Sequence, residues 1–269
     1  MKLQFRLPVL VIMLFMIVGC EEADTDIDAL EDLVMIGAAS DAELTVEMYG
    51  DHALQVGLNK IYFQVLNKAT EDQIEDILIS QQPMMQMETI AHSCPVDGPT
   101  DVPNSDGLFE SEVVFIMASG MMGSWSDTLS IHRESTNTHH QVVFENLSVV
   151  ETNMKKNLVF LDGDSNQVIY IVTLNGLEDP EVGVNEIVVT VHKKQSMMSF
   201  PEVSGLSMTL DPQMPDMGHG SIGNIDPVYT SAGKYEGVVA FNMTGYWTLD
   251  IDVSLDGTDL GTVQYEFNF

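Results

Sequence analysis

Basic residues are scarce in this chain. Ten Lys and Arg face 41 Asp and Glu, a formal net charge of −31. Such a surface repels phosphate backbones and anionic lipid headgroups, which argues against nucleic-acid binding. It attracts cations or simply keeps the protein soluble. Cysteine is scarce as well. Only Cys20 and Cys94 are present, so no framework of several disulfides can form. After the first 18 residues no apolar run approaches the ~20 residues of a membrane-spanning helix, and no long helical period stands out. Familiar catalytic signatures are missing too. There is no Gly-x-Ser-x-Gly, no His-Glu-x-x-His and no phosphate-cradling glycine loop. These absences favour a binding protein over an enzyme.

What is present begins at the N-terminus. Lys2 and Arg6 precede an uncharged run from Leu7 to Val18, and Ile17-Val18-Gly19 leads into Cys20. The segment resembles a bacterial lipoprotein signal peptide with its lipobox. That resemblance implies cleavage after Gly19 and lipid on the Cys20 thiol. A membrane anchor of lipid follows, in the cell envelope, with outer-membrane attachment preferred. Cys94 is then the one thiol left. It is either buried and inert or a reactive or metal-binding group.

After an acidic stretch the chain reads as β structure. Short runs rich in Val, Ile, Phe, Tyr and Thr are separated by turn signals such as Asp106-Gly107, Asn175-Gly176 and Asp256-Gly257. Asp162-Gly163-Asp164-Ser165-Asn166 resembles a calcium loop but lacks the spacing and closing Glu of an EF-hand, so a tight turn is expected. The segment Val56-Gly57-Leu58-Asn59-Lys60-Ile61 recurs as Val182-Gly183-Val184-Asn185-Glu186-Ile187. Each copy continues with a methionine-rich stretch, a turn, an aromatic strand and a Gly-x-Trp: Gly123-Ser124-Trp125 and Gly245-Tyr246-Trp247. The expectation is an all-β fold of two tandem immunoglobulin-like antiparallel sandwiches. Its divisions are a signal peptide (1–19), a lipidated cysteine with acidic tether (20–40), a first sandwich (41–152) and a second (153–269).

Met214-Pro215-Asp216-Met217-Gly218-His219, then Gly233-Lys234-Tyr235-Glu236-Gly237, then Phe241-Asn242-Met243-Thr244-Gly245-Tyr246-Trp247 carry a further resemblance. Together they resemble the YtkA-like family, related to the FixH proteins. The likeness covers residues 178–255 closely and residues 50–132 more loosely. It implies exported or membrane-anchored sandwiches of the kind found near copper-handling and respiratory-oxidase genes.

Thioether and imidazole are ligands that suit copper, above all Cu(I). The second copy offers Met214, Met217 and His219. Alternation on a strand places Met217 and His219 on one face, and Pro215 and Gly218 bend the segment to bring Met214 round. The first copy offers Met85, Met87, His92 and Cys94, with Met121-Met122 near the same edge. The competing use of these methionines is packing, because thioethers fill irregular core gaps. His132, His139 and His140 are expected on a solvated loop. Two functions follow. One is a non-enzymatic, lipid-anchored copper-binding or relay protein working with an unidentified envelope partner. The alternative is an adhesion or interaction module with no metal site.

Overall fold

A computed structural model describes residues 30–269. The expected signal peptide, Cys20 and the first part of the expected tether, through residue 29, lie outside the described residues. Among the described residues every element is a strand. The first sandwich contains β1 (Val34–Ser40), β2 (Leu44–Gly50), β3 (Gly57–Asn67), β4 (Ile77–Gln86), β5 (Ala91–His92), β6 (Val96–Asp97), β7 (Phe109–Phe115), β8 (Ser124–Arg133) and β9 (Thr138–Leu147). The second contains β10 (Lys155–Leu161), β11 (Gln167–Asn175), β12 (Gly183–Lys193), β13 (Leu206–Met214), β14 (His219–Gly220), β15 (Ile225–Tyr229), β16 (Lys234–Phe241), β17 (Tyr246–Leu255) and β18 (Thr258–Asn268).

The two copies share one topology. In the first, β1-β2-β3-β7-β6 faces β5-β4-β8-β9. In the second, β10-β11-β12-β16-β15 faces β14-β13-β17-β18. All named pairs are antiparallel, so the expected tandem sandwiches are what the chain forms. One boundary differs. Residues 34–40, expected in the tether, form β1 and pair with β2. The physical reason is local: the acidic residues stop at Asp32, and Val34-Met35-Ile36-Gly37-Ala38-Ala39 carries no charge to keep it in water.

Alternation builds each core. In β13, Leu206, Met208, Leu210 and Met214 are buried while Ser207, Thr209 and Asp211 face solvent. The methionine-rich stretches thus begin as strand, because every second residue there has an apolar layer to enter. Trp125 and Trp247 are fully buried. Each meets a phenylalanine from the facing sheet, Phe115 at 5.0 Å and Phe241 at 5.1 Å between ring centroids. Each also donates its indole N–H to a backbone carbonyl, that of Met117 at 2.8 Å and of Met243 at 3.0 Å. The buried polar atom of each ring is therefore satisfied.

The sandwiches are joined by more than their linker. Leu58, Val114 and Ile116 on the outer face of the first meet Ile171 and Phe200 of the second. Lys234 pairs with Glu112 across the seam at 2.6 Å. The Ser93 N–H donates to the Met197 carbonyl at 2.9 Å. The linker is itself tied down, with the Val56 N–H donating to the Val150 carbonyl and the Thr152 hydroxyl to that of Val56.

His192 lies at this seam. Burial pushes its imidazole down to about 4, against the pull of Asp97 in the first sandwich. The folded value lies below the ordinary 6.5, so the folded state resists a proton that the unfolded chain accepts. Stability is full above pH 6.5 and falls as pH drops toward about 4. The loss is up to about 3 kcal/mol at 1.4 kcal/mol per pKa unit. Denaturant unfolding of wild type and His192→Gln across pH 4–7 measures this as the difference between the two curves, which we expect to narrow toward acid.

Candidate metal centre

The structure brings some of the sequence candidates together and separates others. Residues 215–218 form a tight turn, with the Met217 and Gly218 N–H groups both on the Met214 carbonyl. Gly218 takes a φ of 67° there, a conformation that favours glycine. The turn makes Met214 and His219 cross-strand partners. Met85 and His92 are partners in the same way. The bend expected at Pro215 and Gly218 is present, but it places Met217 at the turn tip, 61% exposed. Alternation fails for Met217 and His219 because the segment between them is a turn and not a strand.

Met85 and Met214 occupy matching positions in the two cores. Both are buried. The Met214 terminal methyl lies where a Cβ on Gly245 would stand, and that of Met85 sits 3.2 Å from such a Cβ on Gly123. These glycines admit the methionine tips over the tryptophans. His92 and His219 then meet those tryptophans edge-on, at 5.4 Å and 5.9 Å. Their Nδ1 atoms lie 2.9 Å from the carbonyls of Ser93 and Gly220. A carbonyl only accepts, so Nδ1 carries the proton in the neutral ring and Nε2 keeps its lone pair. A Met–His–Trp–Gly arrangement is therefore built twice.

Cys94 does not join it as a thiolate. Burial pushes its thiol well above the ordinary range, and the nearby Asp127 carboxyl pushes in the same direction. Met121 and Met122 are exposed at the Gly120–Gly123 turn and are not among the residues lining the cleft described below. His132 and His139 are strand residues, stacked 4.4 Å apart with rings 12° from parallel. His140 sits 2.8 Å from Asp41. Among the described residues no group of three or more His, Cys, Asp or Glu is placed to hold an ion.

A cavity of about 320 Å³ opens at the seam between the sandwiches. Met87, His92, Ile116 and Met117 line it from the first, and Ile171 and Met197 from the second. One histidine and three methionines thus line one space. Met117 and Met197 were not singled out in the sequence. Met197 lies on the loop after β12, where only domain docking gives it a neighbour in the first copy. Lys155 and Lys194 line the same cavity. Burial holds the Lys155 amine below its ordinary range; Glu151 opposes this and Lys194 adds repulsion.

No protein-family model matches the chain, and no curated protein does. Among solved structures it is similar to the adhesin InvE of Yersinia pseudotuberculosis, at 10% identity and a TM-score of 0.25. That match covers 87% of this chain and 60% of the adhesin chain.

The burial of Cys94 has a direct consequence. In the folded protein at pH 8 we expect no alkylation by iodoacetamide, and complete reaction once denaturant is added. Mass spectrometry of both samples checks this; rapid labelling of the native protein would contradict it.

Proposed function

We propose that this chain is a non-enzymatic protein of the cell envelope, lipid-anchored at Cys20, that binds Cu(I) in the cleft between its sandwiches. The observation that carries the reading is the lining of that cleft, which includes His92, Met87, Met117 and Met197. The His92 Nε2 lone pair and soft sulfurs form a donor set that suits Cu(I). The resemblance to YtkA-like domains points the same way, as does the lipobox-like segment before Cys20 for the anchor and its preferred outer-membrane site. Relative to the sequence expectation, Met87 and His92 stay in the site. Met85 and Met214 serve the cores, Met217 faces solvent, and Cys94 remains a protonated core residue. His219 lies edge-on to the second tryptophan with its Nδ1 against the Gly220 carbonyl.

The lysines oppose a bound cation. A unit charge roughly 8 Å away costs about 2 kcal/mol at an effective dielectric near 20. That is small beside the ~10 kcal/mol scale of protein metal sites. It also sets a sign. Copper affinity rises with pH as Lys155 loses its proton, and it rises in Lys155→Gln.

Anaerobic titration of the protein with Cu(I) against a competing chelator is the test. His92→Ala combined with Met87→Ala is expected to weaken binding at least about tenfold, or ~1.4 kcal/mol. Unchanged affinity sinks the cleft as the site. Loss only after Met214→Ala with His219→Ala moves it to the second copy.

A second reading, an interaction module, has one observation in its favour. Leu58 and Val114 hold the second sandwich, and their counterparts in that sandwich, Val184 and Ala240, have no such cover. Val184 is 72% exposed, and Val182, Ile225 and Val228 are exposed nearby in the same sheet region. This is a surface of the kind that holds a further sandwich domain. Recovery of a stoichiometric envelope partner that is lost in Val184→Asp, from protein that carries no metal, favours this reading over copper.

A further inference from the structure

The first sandwich carries three polar side chains where the second carries apolar or small ones. Gln81 on β4, Asp127 on β8 and Ser111 on β7 correspond through the strand registers to Leu210, Leu249 and Gly237. Asp127 is fully buried and Ser111 nearly so. The second sandwich shows that this fold closes its core at these positions without polar groups. Burying them is costly, and one cost is visible: Asp127 Oδ1 is buried without a hydrogen-bond partner. Such an orphan acceptor costs about 1–3 kcal/mol. An arrangement that the fold does not need and that reduces stability calls for a use other than packing.

The geometry gives one. The Ser111 hydroxyl donates to Gln81 Oε1 at 2.5 Å. The Gln81 amide nitrogen donates to Asp127 Oδ2, also at 2.5 Å. A nucleophilic oxygen therefore rests against an amide whose nitrogen, the leaving atom of an acyl transfer, is held on a carboxyl group. We propose that the Ser111 oxygen and the Gln81 side-chain carbonyl carbon become joined in an intramolecular ester that ties β7 to β4 across the two sheets, with Asp127 as the catalytic acid and base.

The step balances without a co-reactant. The Ser111 Oγ–Cδ bond of Gln81 forms, and the hydroxyl proton passes to Oε1. Asp127 gives its proton to Nε2, the Cδ–Nε2 bond breaks, and ammonia leaves. The carboxylate then takes back the proton from Oε1 as the carbonyl reforms. Hydroxyl plus primary amide become ester plus ammonia, and Asp127 ends as it began. Burial suits Asp127 to this, because desolvation pushes its carboxyl up to about 7 against the hydrogen bonds from Gln81 and Gln82. It can therefore hold or release a proton near neutral pH. Gln81 is only half-buried, which gives ammonia an exit. Ser111 and Asp127 lie in the closed core, which keeps water from hydrolysing the ester. Loss of ammonia to bulk solvent drives the exchange. The linked copy is the one nearer Cys20, where any pull on an anchored protein enters the folded chain.

Intact-mass spectrometry of the purified protein tests this. The wild type is expected to weigh one ammonia less than its sequence after any N-terminal processing is counted. Proteolysis should yield a joined peptide pair containing Gln81 and Ser111, and hydroxylamine should separate it. Ser111→Ala and Asp127→Leu should show the full sequence mass. The leucine is the residue that the second sandwich already tolerates at this place, and far-UV circular dichroism confirms that each variant folds. A wild type at full mass overturns the proposal. So does ammonia loss that persists in Ser111→Ala, since the acyl acceptor is then another group, with the buried Cys94 thiol the first to examine.

Discussion

Each sandwich is organised around a tryptophan that two sheets and one short strand must share. The indole fills the centre of the layer, meets a phenylalanine of the facing sheet, and spends its single N–H on a backbone carbonyl. A glycine two residues before it leaves room for a methionine tip. The histidine strand then closes over the ring edge. These contacts are mutually dependent. A side chain at the glycine displaces the methionine, and a displaced methionine opens a void against the largest ring in the core. The same knot appears in both copies, so it is the feature that most plainly marks them as one domain used twice.

Docking of the copies creates what neither holds alone. The outer face of the first sandwich buries Leu58 and Val114 against Ile171 and Phe200. The Lys234–Glu112 pair adds an ionic contact at the seam. A cavity remains beside this contact. Its lining inverts the chain's overall charge, since lysines border it although acids outnumber bases about four to one in the sequence. Sulfur and imidazole there come from strand ends and loops of both sandwiches. Of these lysines, Lys155 has its amine held below the ordinary range by burial.

Duplication also supplies an internal control. Where the copies agree, as at Trp125 and Trp247, the residue fills the same place in both cores. Where they differ, the second copy shows what the fold alone accepts. Leucine and glycine suffice in place of Gln81, Asp127 and Ser111. The polar trio, with its orphan oxygen and its carboxyl near 7, is thus present in one copy and not in the other. It bridges the two sheets at the only place in the trio where a nucleophile and an acyl group face each other.

Much of the architecture was legible in the chain itself. Alternation of apolar residues marks strands such as β17, Asp-Gly and Asn-Gly mark turns, and the recurrence of Val-Gly-x-Asn and Gly-x-Trp marks the tandem copies. These signals are local, and a strand's two-residue period acts over neighbouring residues. The bend at Pro215 and Gly218 was legible for the same reason. The side on which Met217 would fall was not, because a turn replaces the strand period there. Nor could the chain show that Met197 shares a cavity with His92, or that Ser111 meets Gln81 from the opposite sheet while Gln81 holds Asp127. Those neighbours are set by which faces pack together. Packing joins residues far apart along the chain, and only the tertiary structure decides it.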